Sequence, residues 1–160
     1  MRKGPEIFIT PRILFFKMHK KKLAWSFLII AVLGLAISLY LVHEHYDSGT
    51  GFCDMNAVIS CTLVNQSSYS ELFGIPVAFF GMFWFVGLAI LTFYGQKEKH
   101  VEVPLLLWSI VGLLSVAYLM HAEYVLKAIC LWCTSVHILV MITTILAICA
   151  YRKKGGETHA

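Results

Sequence analysis

The sequence predicts an all-α membrane protein, a bundle of four transmembrane helices with a long outer loop that carries a cysteine pair. Of the 160 residues, 59% are hydrophobic and 14% are charged, whereas a soluble domain is about 45–50% apolar and about 25% charged. Four apolar stretches of 18 to 21 residues lack Lys, Arg, Asp and Glu. These stretches are 23–43, 75–94, 103–120 and 131–151. Between the first two lies a segment of about 30 residues that contains Cys53 and Cys61.

The length of each stretch predicts a helix that crosses the bilayer. A helix that rises 1.5 Å per residue needs roughly 20 residues to cross a hydrocarbon core about 30 Å thick. Backbone groups in lipid must form their hydrogen bonds within the segment, so helices are expected rather than strands. A mean hydropathy of +0.75 agrees with a protein that resides in the lipid bilayer.

The region before the first span is basic and is expected to remain on the protein. Its length, and the lack of a small-residue cleavage site after the apolar run, distinguish it from a cleaved signal peptide. We therefore predict a cytoplasmic tail at 1–22, a four-helix membrane domain at 23–151 with its outer loop at 44–74, and a second cytoplasmic tail at 152–160.

The basic residues predict the orientation. Seven Lys or Arg residues precede the first span, none lies between the first and second, two follow the second, one follows the third and three follow the fourth. Because cytoplasmic segments are enriched in Lys and Arg, both termini are expected in the cytoplasm and both cysteine pairs on the outer, extracytoplasmic side. The net charge of +4 then reflects topology and does not indicate a nucleic-acid partner.

The outer loop 44–74 is too long to be a simple connector, which favours a functional role. Ser67 or Ser68 is predicted to cap a short helix with Glu71 in its first turn. Pro76 is predicted to lie near the first turn of the second span, where its missing N–H costs nothing. Small residues on the second and third spans are expected to allow close helix approach; they are Gly81, Gly87, Gly112 and Ser115.

The second cysteine pair opens the fourth span. Cys130 and Cys133 have the C-x-x-C spacing of a dithiol that closes and reopens as a disulfide. Both are predicted in the first helical turn, where unpaired N–H groups and the helix dipole favour a thiolate. Lys127 is close enough in sequence to add to this effect. Since the thiolate attacks disulfides and electron-poor acceptors, we expect a redox role.

Two further residues of the fourth span draw attention. His137 follows Cys133 by four residues, so it lies one turn deeper on the same face. A histidine at that depth is a candidate to relay a proton or to bind a quinone-type ligand, and a hydrogen bond to a neighbouring helix is the alternative. Cys149 is expected to be a small packing or lipid-facing residue.

From the residues alone, other interpretations stay open. Four thiolates in two pairs can close a structural zinc site, although the seven residues between Cys53 and Cys61 exceed the usual zinc spacing, and we expect no metal. A Cys53–Cys61 disulfide is also compatible with a purely structural role. A non-enzymatic scaffold or a small transporter is a further alternative, although the spans offer few polar residues for an ion path.

Several motifs together resemble the vitamin K epoxide reductase family, over roughly residues 25–150. They are Cys53-Asp54, Ile59-Ser60-Cys61, Ser67, Phe73-Gly74-Ile75-Pro76 and Cys130-x-x-Cys133. The resemblance implies a four-helix bundle around a quinone pocket and a disulfide relay. It implies that Cys133 contacts the quinone with Cys130 as its partner, that Cys61 exchanges with Cys130, and that Cys53 meets the thiol of a thioredoxin-fold protein. Ser67 matches the loop serine that the family places near the active site.

The function expected from this resemblance is that of a thiol–disulfide oxidoreductase that generates disulfides and passes electrons to a quinone such as ubiquinone or menaquinone. Vertebrate members have a tyrosine at the position of His137. Because this chain departs from them there, vitamin K type quinone or quinone-epoxide reduction is the alternative and not the first expectation. Many bacterial members carry a thioredoxin-like domain after the bundle. Since this chain stops at Ala160, we expect a separate thioredoxin-fold partner.

Overall fold

The computed structural model describes residues 11–47, 53–95 and 101–158, with side chains described for 21–47, 53–95 and 101–152. Helices dominate the fold. In chain order the elements are α1 (Pro11–Tyr46), α2 (Cys61–Asn65), a 3-10 turn (Ser68–Ser70), β1 (Glu71–Leu72), β2 (Ile75–Pro76), α3 (Val77–Gly95), α4 (Glu102–Leu126) and α5 (Leu131–Thr158). The predicted tail boundaries at 22 and 152 fall inside α1 and α5, which both continue beyond the apolar stretches.

Four of these helices contain stretches long and apolar enough to cross a membrane. The spans are Lys21–Tyr46, Val77–Gly95, Glu102–Leu126 and Leu131–Arg152. They correspond one to one with the predicted stretches, so the protein is an integral, multi-pass membrane protein with the predicted helical fold. Within the bundle α1 packs mainly against α3, and α4 packs mainly against α5.

Two tryptophans lock α3 to α4. The indole N–H of Trp84 donates to the carbonyl of Trp108, and the indole N–H of Trp108 donates to the carbonyl of Trp84, each at 3.0 Å. A Cβ at Gly112 would overlap the Trp84 ring, and a Cβ at Gly87 would overlap the Trp108 ring. The prediction that Gly87 and Gly112 allow close approach is therefore confirmed. Each glycine leaves room for an indole ring from the opposite helix.

A short hairpin leads into α3. β1 pairs with β2 through Leu72 and Ile75, and the two residues between them, Phe73 and Gly74, have φ of 56° and 77°. Positive φ at both central positions is what a type I′ turn requires, and the second position is filled by glycine, which adopts it without strain. The sequence motifs did not predict these strands.

One local prediction in this region is wrong and another is confirmed. Ser67 lies at the N-cap position of a 3-10 turn but makes no side-chain cap hydrogen bond, and Glu71 lies in β1 instead of a helical first turn. The β1–β2 pairing takes the backbone at Glu71 out of the helical conformation. Pro76 ends β2 and immediately precedes Val77, so it lies next to the first turn of α3, as predicted.

The end of α1 holds the loop in place. Asn65 donates its side-chain amide to the carbonyl of Leu41 at 2.8 Å, and its own carbonyl lies 2.6 Å from Nδ1 of His45. Gln66 donates to the carbonyl of Asp47 at 2.7 Å. The loop from Cys53 onward is thus fastened to α1. The run Ser48-Gly49-Thr50-Gly51 predicts a flexible turn that leads into Cys53, and these residues lie outside the described part of the chain.

Candidate functional site

Four cysteines converge where the loop 44–74 meets the start of α5. Cys53 and Cys61 form a disulfide with Cα atoms 5.6 Å apart, and Cys130 and Cys133 are free thiols. The sulfur of Cys130 lies 3.3 Å from the sulfur of Cys61. That separation is within the range of about 3–3.5 Å at which reacting atoms are poised to react. The two pairs, 69 residues apart at Cys61 and Cys130, therefore meet directly.

A backbone bridge brings the pairs together. Ile59 and Ile129 form an isolated parallel bridge: Ser60 N–H donates to the carbonyl of Ile129 at 3.2 Å, and Ile129 N–H donates to the carbonyl of Val58 at 2.7 Å. Cys61 follows Ile59 by two residues, and Cys130 directly follows Ile129. Cys61 and Cys130 are also wholly buried. The backbone bridge and the burial of both side chains consequently hold the two sulfurs in contact.

Cys130 caps the N-terminus of α5. The helix begins at Leu131, so the prediction that both cysteines lie in its first turn is wrong for Cys130. The sulfur of Cys130 accepts the backbone N–H of Cys133 at 3.2 Å, which is the hydrogen bond of an N-cap side chain. The carbonyl of Cys130 accepts the N–H of Thr134 at 2.9 Å. One backbone N–H of the helix terminus is therefore donated directly to the sulfur of Cys130.

Asp54 shapes the loop around Cys61. Its carboxylate accepts the hydroxyl of Ser60 at 2.8 Å, the backbone N–H of Thr62 at 3.1 Å and the hydroxyl of Thr62. Ser60 in turn caps α2 by accepting the N–H of Leu63 at 3.1 Å. These bonds order the residues on both sides of Cys61.

A cavity of about 620 Å³ opens beside the second pair. Its walls come mainly from α3, α4 and α5, with loop residues over one end, and most of the lining is apolar. Polar or reactive side chains in the lining include Cys133, His137, Glu123, Asn65, Ser67 and Ser70. The volume falls in the range of about 300–1,000 Å³ that small-molecule sites occupy. Cys133, and not its partner Cys130, is the cysteine that lines this cavity.

His137 and Ser67, both predicted as binding residues, line the same cavity. His137 is 3% exposed, and its Nε2 has no hydrogen-bond partner within the part of the chain that the structure describes. This nitrogen therefore does not form the alternative hydrogen bond to a neighbouring helix. Ser67 donates its hydroxyl to the carbonyl of Val64 at 2.8 Å, which leaves the oxygen lone pairs for another donor.

Glu123 is a functional candidate that the sequence motifs did not reveal. Its Oε1 accepts the backbone N–H of Cys130 at 3.3 Å, and its side chain lines the cavity. The available signal was a carboxylate seven residues before the C-x-x-C, near the end of an apolar span. Lys127, which was expected to assist the cysteines, is exposed and ends α4 in a left-handed conformation with φ of 52°.

The remaining cysteine observations bear on access and on metal binding. Cys53 is 4% exposed, so an incoming thiol reaches it only if the loop opens. Cys149 is an exposed residue of α5, in keeping with a lipid-facing position. The zinc hypothesis needs four thiolates, and two of those sulfurs are joined as a disulfide in this structure.

Comparison with known proteins places this site in a family. The family model described as "Vitamin K epoxide reductase family" matches residues 25–148, which include all four converging cysteines and the spans that enclose the cavity. No curated protein matches the chain. Because the matched region covers well over half of the sequence, the chain belongs to the vitamin K epoxide reductase family, whose members have membrane thiol–disulfide oxidoreductase and quinone reductase activity.

Proposed function

We propose that this protein generates disulfides by oxidising a separate thioredoxin-fold protein and passing the electrons to a quinone. The observation that carries this proposal is the 3.3 Å separation between the sulfurs of Cys61 and Cys130. It joins a loop disulfide to a dithiol whose second member, Cys133, lines a cavity of quinone size. A structural disulfide alone would not require a free thiol at attacking distance.

In the proposed relay each disulfide exchange conserves bonds. A thiolate of the partner attacks the Cys53–Cys61 disulfide at Cys53, which forms a mixed disulfide with Cys53 and frees Cys61. The second thiol of the partner then attacks the partner sulfur of this mixed disulfide, which releases the partner as a disulfide and leaves both loop cysteines reduced. Cys61 then attacks Cys130 of an oxidised Cys130–Cys133 pair and frees Cys133. Attack of Cys53 on Cys61 releases Cys130. The arrangement with the loop pair oxidised and Cys130 and Cys133 reduced follows these steps.

The residues around the cavity fit a quinone. A bound quinone supplies an acceptor for two electrons and two protons. Apolar walls suit its ring and tail, and the unpartnered Nε2 of buried His137 is a suitable hydrogen-bond partner for a ring oxygen. Cys133 stands one turn above His137 on α5, so its thiolate faces the same space. We therefore propose Cys133, His137 and Ser67 as the quinone-contacting residues.

Access to the relay is proposed from the extracytoplasmic side. The loop 44–74 contains no Lys or Arg, whereas the N-terminal tail contains seven. By the positive-inside rule this supports cytoplasmic termini and an external loop. Because Cys53 is buried in the folded loop, the partner's thiol must displace part of the loop before it reacts.

Turnover with defined substrates tests the proposal. Purified protein, reduced thioredoxin-fold protein and ubiquinone or menaquinone should together yield oxidised partner and reduced quinone. Replacing both Cys130 and Cys133 by alanine should abolish the reaction, and Cys149→Ala is the matched control that should leave it unchanged. Turnover that survives loss of Cys130 and Cys133 would refute the relay.

Trapping tests the central contact independently of turnover. In a Cys133→Ala variant, Cys130 attacks Cys61 but no thiol resolves the product from the α5 side. A Cys61–Cys130 disulfide should then accumulate and be identifiable by peptide mass mapping. A Cys133→Ala protein in which Cys61 pairs only with Cys53 under exchanging conditions would contradict the proposed electron route.

A further inference from the structure

Glu123 occupies a fixed position where α4 ends. The N–H of Ala128 donates to the carbonyl of Glu123, and the N–H of Lys127 donates to the carbonyl of Tyr124, each at 3.3 Å. This pair of bonds around left-handed Lys127 is the Schellman termination of a helix. The turn carries the chain back past Glu123, so that its carboxylate meets the N–H of Cys130 at 3.3 Å.

The same side chain faces the quinone cavity. Among the described residues that line this cavity, Glu123 is the only carboxylic acid. It is half-buried, in a wall that is otherwise mostly apolar. One titratable group therefore adjoins both the cysteine that exchanges electrons with the loop and the space in which a quinone is reduced.

The proposed reaction needs such a group because protons must accompany the electrons. When reduced Cys130 and Cys133 reduce a quinone, two S–H bonds break and one S–S bond forms. The electron pair and both protons go to the two quinone oxygens as O–H bonds. Cys130 is wholly buried, so its proton needs an acceptor inside the protein.

We propose that Glu123 is the proton carrier of this site: it takes the proton that Cys130 gives up and delivers it into the quinone cavity. This inference rests on the proposed function and adds a residue to it. The carboxyl oxygen accepts the N–H of Cys130 whether or not the acid is protonated, so Glu123 holds Cys130 in place throughout the cycle. Each turnover returns Glu123 to its initial protonation state.

The test separates a proton carrier from a structural acceptor. Glu123→Gln keeps an oxygen for the N–H of Cys130 but cannot carry a proton. In single-turnover mixing of pre-reduced protein with ubiquinone, this variant should oxidise its Cys130–Cys133 pair more slowly than wild type, by roughly a hundredfold or more. Glu123→Ala should be as slow, and added formate should restore part of its rate. Glu102→Gln, at the opposite end of α4, is the control that should react at the wild-type rate.

Two measurements besides turnover show whether the fold of the site is intact. Ubiquinone affinity, followed by quenching of tryptophan fluorescence, should change by less than about twofold in Glu123→Gln. The yield of the Cys61–Cys130 disulfide, measured without quinone in a Cys133→Ala background, should equal that of the parent variant.

Three results would overturn the proposal that Glu123 carries the proton. They are wild-type speed in Glu123→Gln, no formate rescue in Glu123→Ala, and a loss of quinone affinity or of trapped disulfide large enough to account for the slower reaction. Wild-type protein that reduces no quinone would instead contradict the proposed function, and the carrier with it. If Glu123→Gln reacts slowly while the wild type is active, the proposed function stands and the result bears on the role of Glu123 alone.

Discussion

At the level of single residues, two carboxylates hold the backbone around the reacting sulfurs. Asp54 collects hydrogen bonds from Ser60 and Thr62 on either side of Cys61, and Glu123 holds the N–H of Cys130. Asp54 lies in the loop before α2, whereas Glu123 lies near the end of α4. Asp54 and Glu123 thus order the backbone next to the two sulfurs, which are 3.3 Å apart.

Asp54→Ala should weaken the folded loop. The substitution removes a charged acceptor from three donors that are then left partly unsatisfied, which costs about 1–3 kcal/mol. We expect a lower thermal unfolding midpoint in detergent and, in a Cys133→Ala background, slower formation of the Cys61–Cys130 disulfide. Glu71→Gln is the control, because the His45–Glu71 pair is half-exposed at Glu71 and should matter little. Equal trapping rates in the Asp54 and Glu71 variants would be inconsistent with this role of Asp54.

His137→Phe should separate quinone binding from stability. The unpartnered Nε2 is buried, so an apolar ring of similar size removes an unsatisfied polar atom and should not lower the unfolding midpoint. Loss of the proposed hydrogen bond to quinone should raise KM for quinone by about fivefold, as a bond of about 1 kcal/mol implies. His137→Gln, which retains polar atoms, should be less impaired. An unchanged KM together with a lower midpoint would show that His137 is structural.

At the level of elements, the helices are joined by specific interlocks as well as by apolar packing. The reciprocal Trp84–Trp108 hydrogen bonds cross between α3 and α4, and the Ile59–Ile129 bridge crosses between the loop and the segment before α5. The first interlock forms part of the cavity wall, since both indoles line it. The second sets the distance between the cysteine pairs.

Gly112→Ala should destabilise the α3–α4 interface. The new methyl group would overlap the Trp84 ring, and overpacking of this kind costs about 1–3 kcal/mol. Ser115→Ala on the same helix is the control, since Ser115 is exposed and donates to the carbonyl of Val111 in its own helix. Unfolding in detergent should show a lower midpoint for the Gly112 variant alone. Equal midpoints would mean that the indole readily moves away.

At the level of the whole molecule, the alternation of basic residues predicts one orientation in the bilayer. Introducing Met55→Cys or Thr158→Cys into a chain without its native cysteines provides single reporters for the loop and the C-terminus. A membrane-impermeant maleimide added to intact cells should label position 55, where the native side chain is 69% exposed. It should label position 158 only after the membrane is opened. The reverse pattern would place both cysteine pairs in the cytoplasm.

Several features were predictable because they depend on local composition and spacing. Apolar runs of membrane-spanning length predict the four spans, and the C-x-x-C spacing identifies Cys130 and Cys133 as candidates for a redox dithiol. His137 was identifiable because helical periodicity places residues four apart on one face. The β1–β2 hairpin escaped prediction because strand pairing of two residues each leaves almost no pattern in a sequence.

The sequence by itself determined the class of protein, the number of spans and the residues able to carry redox chemistry, since each follows from hydrophobicity or from spacing along the chain. Only the tertiary structure decided that Cys61 meets Cys130, that Cys133 faces the cavity and that Glu123 adjoins both. The contact of Cys61 with Cys130 joins segments dozens of residues apart, and the contact of Glu123 with Cys130 depends on the turn that ends α4. Backbone bridges, that turn and helix packing set these distances, and no local pattern encodes them.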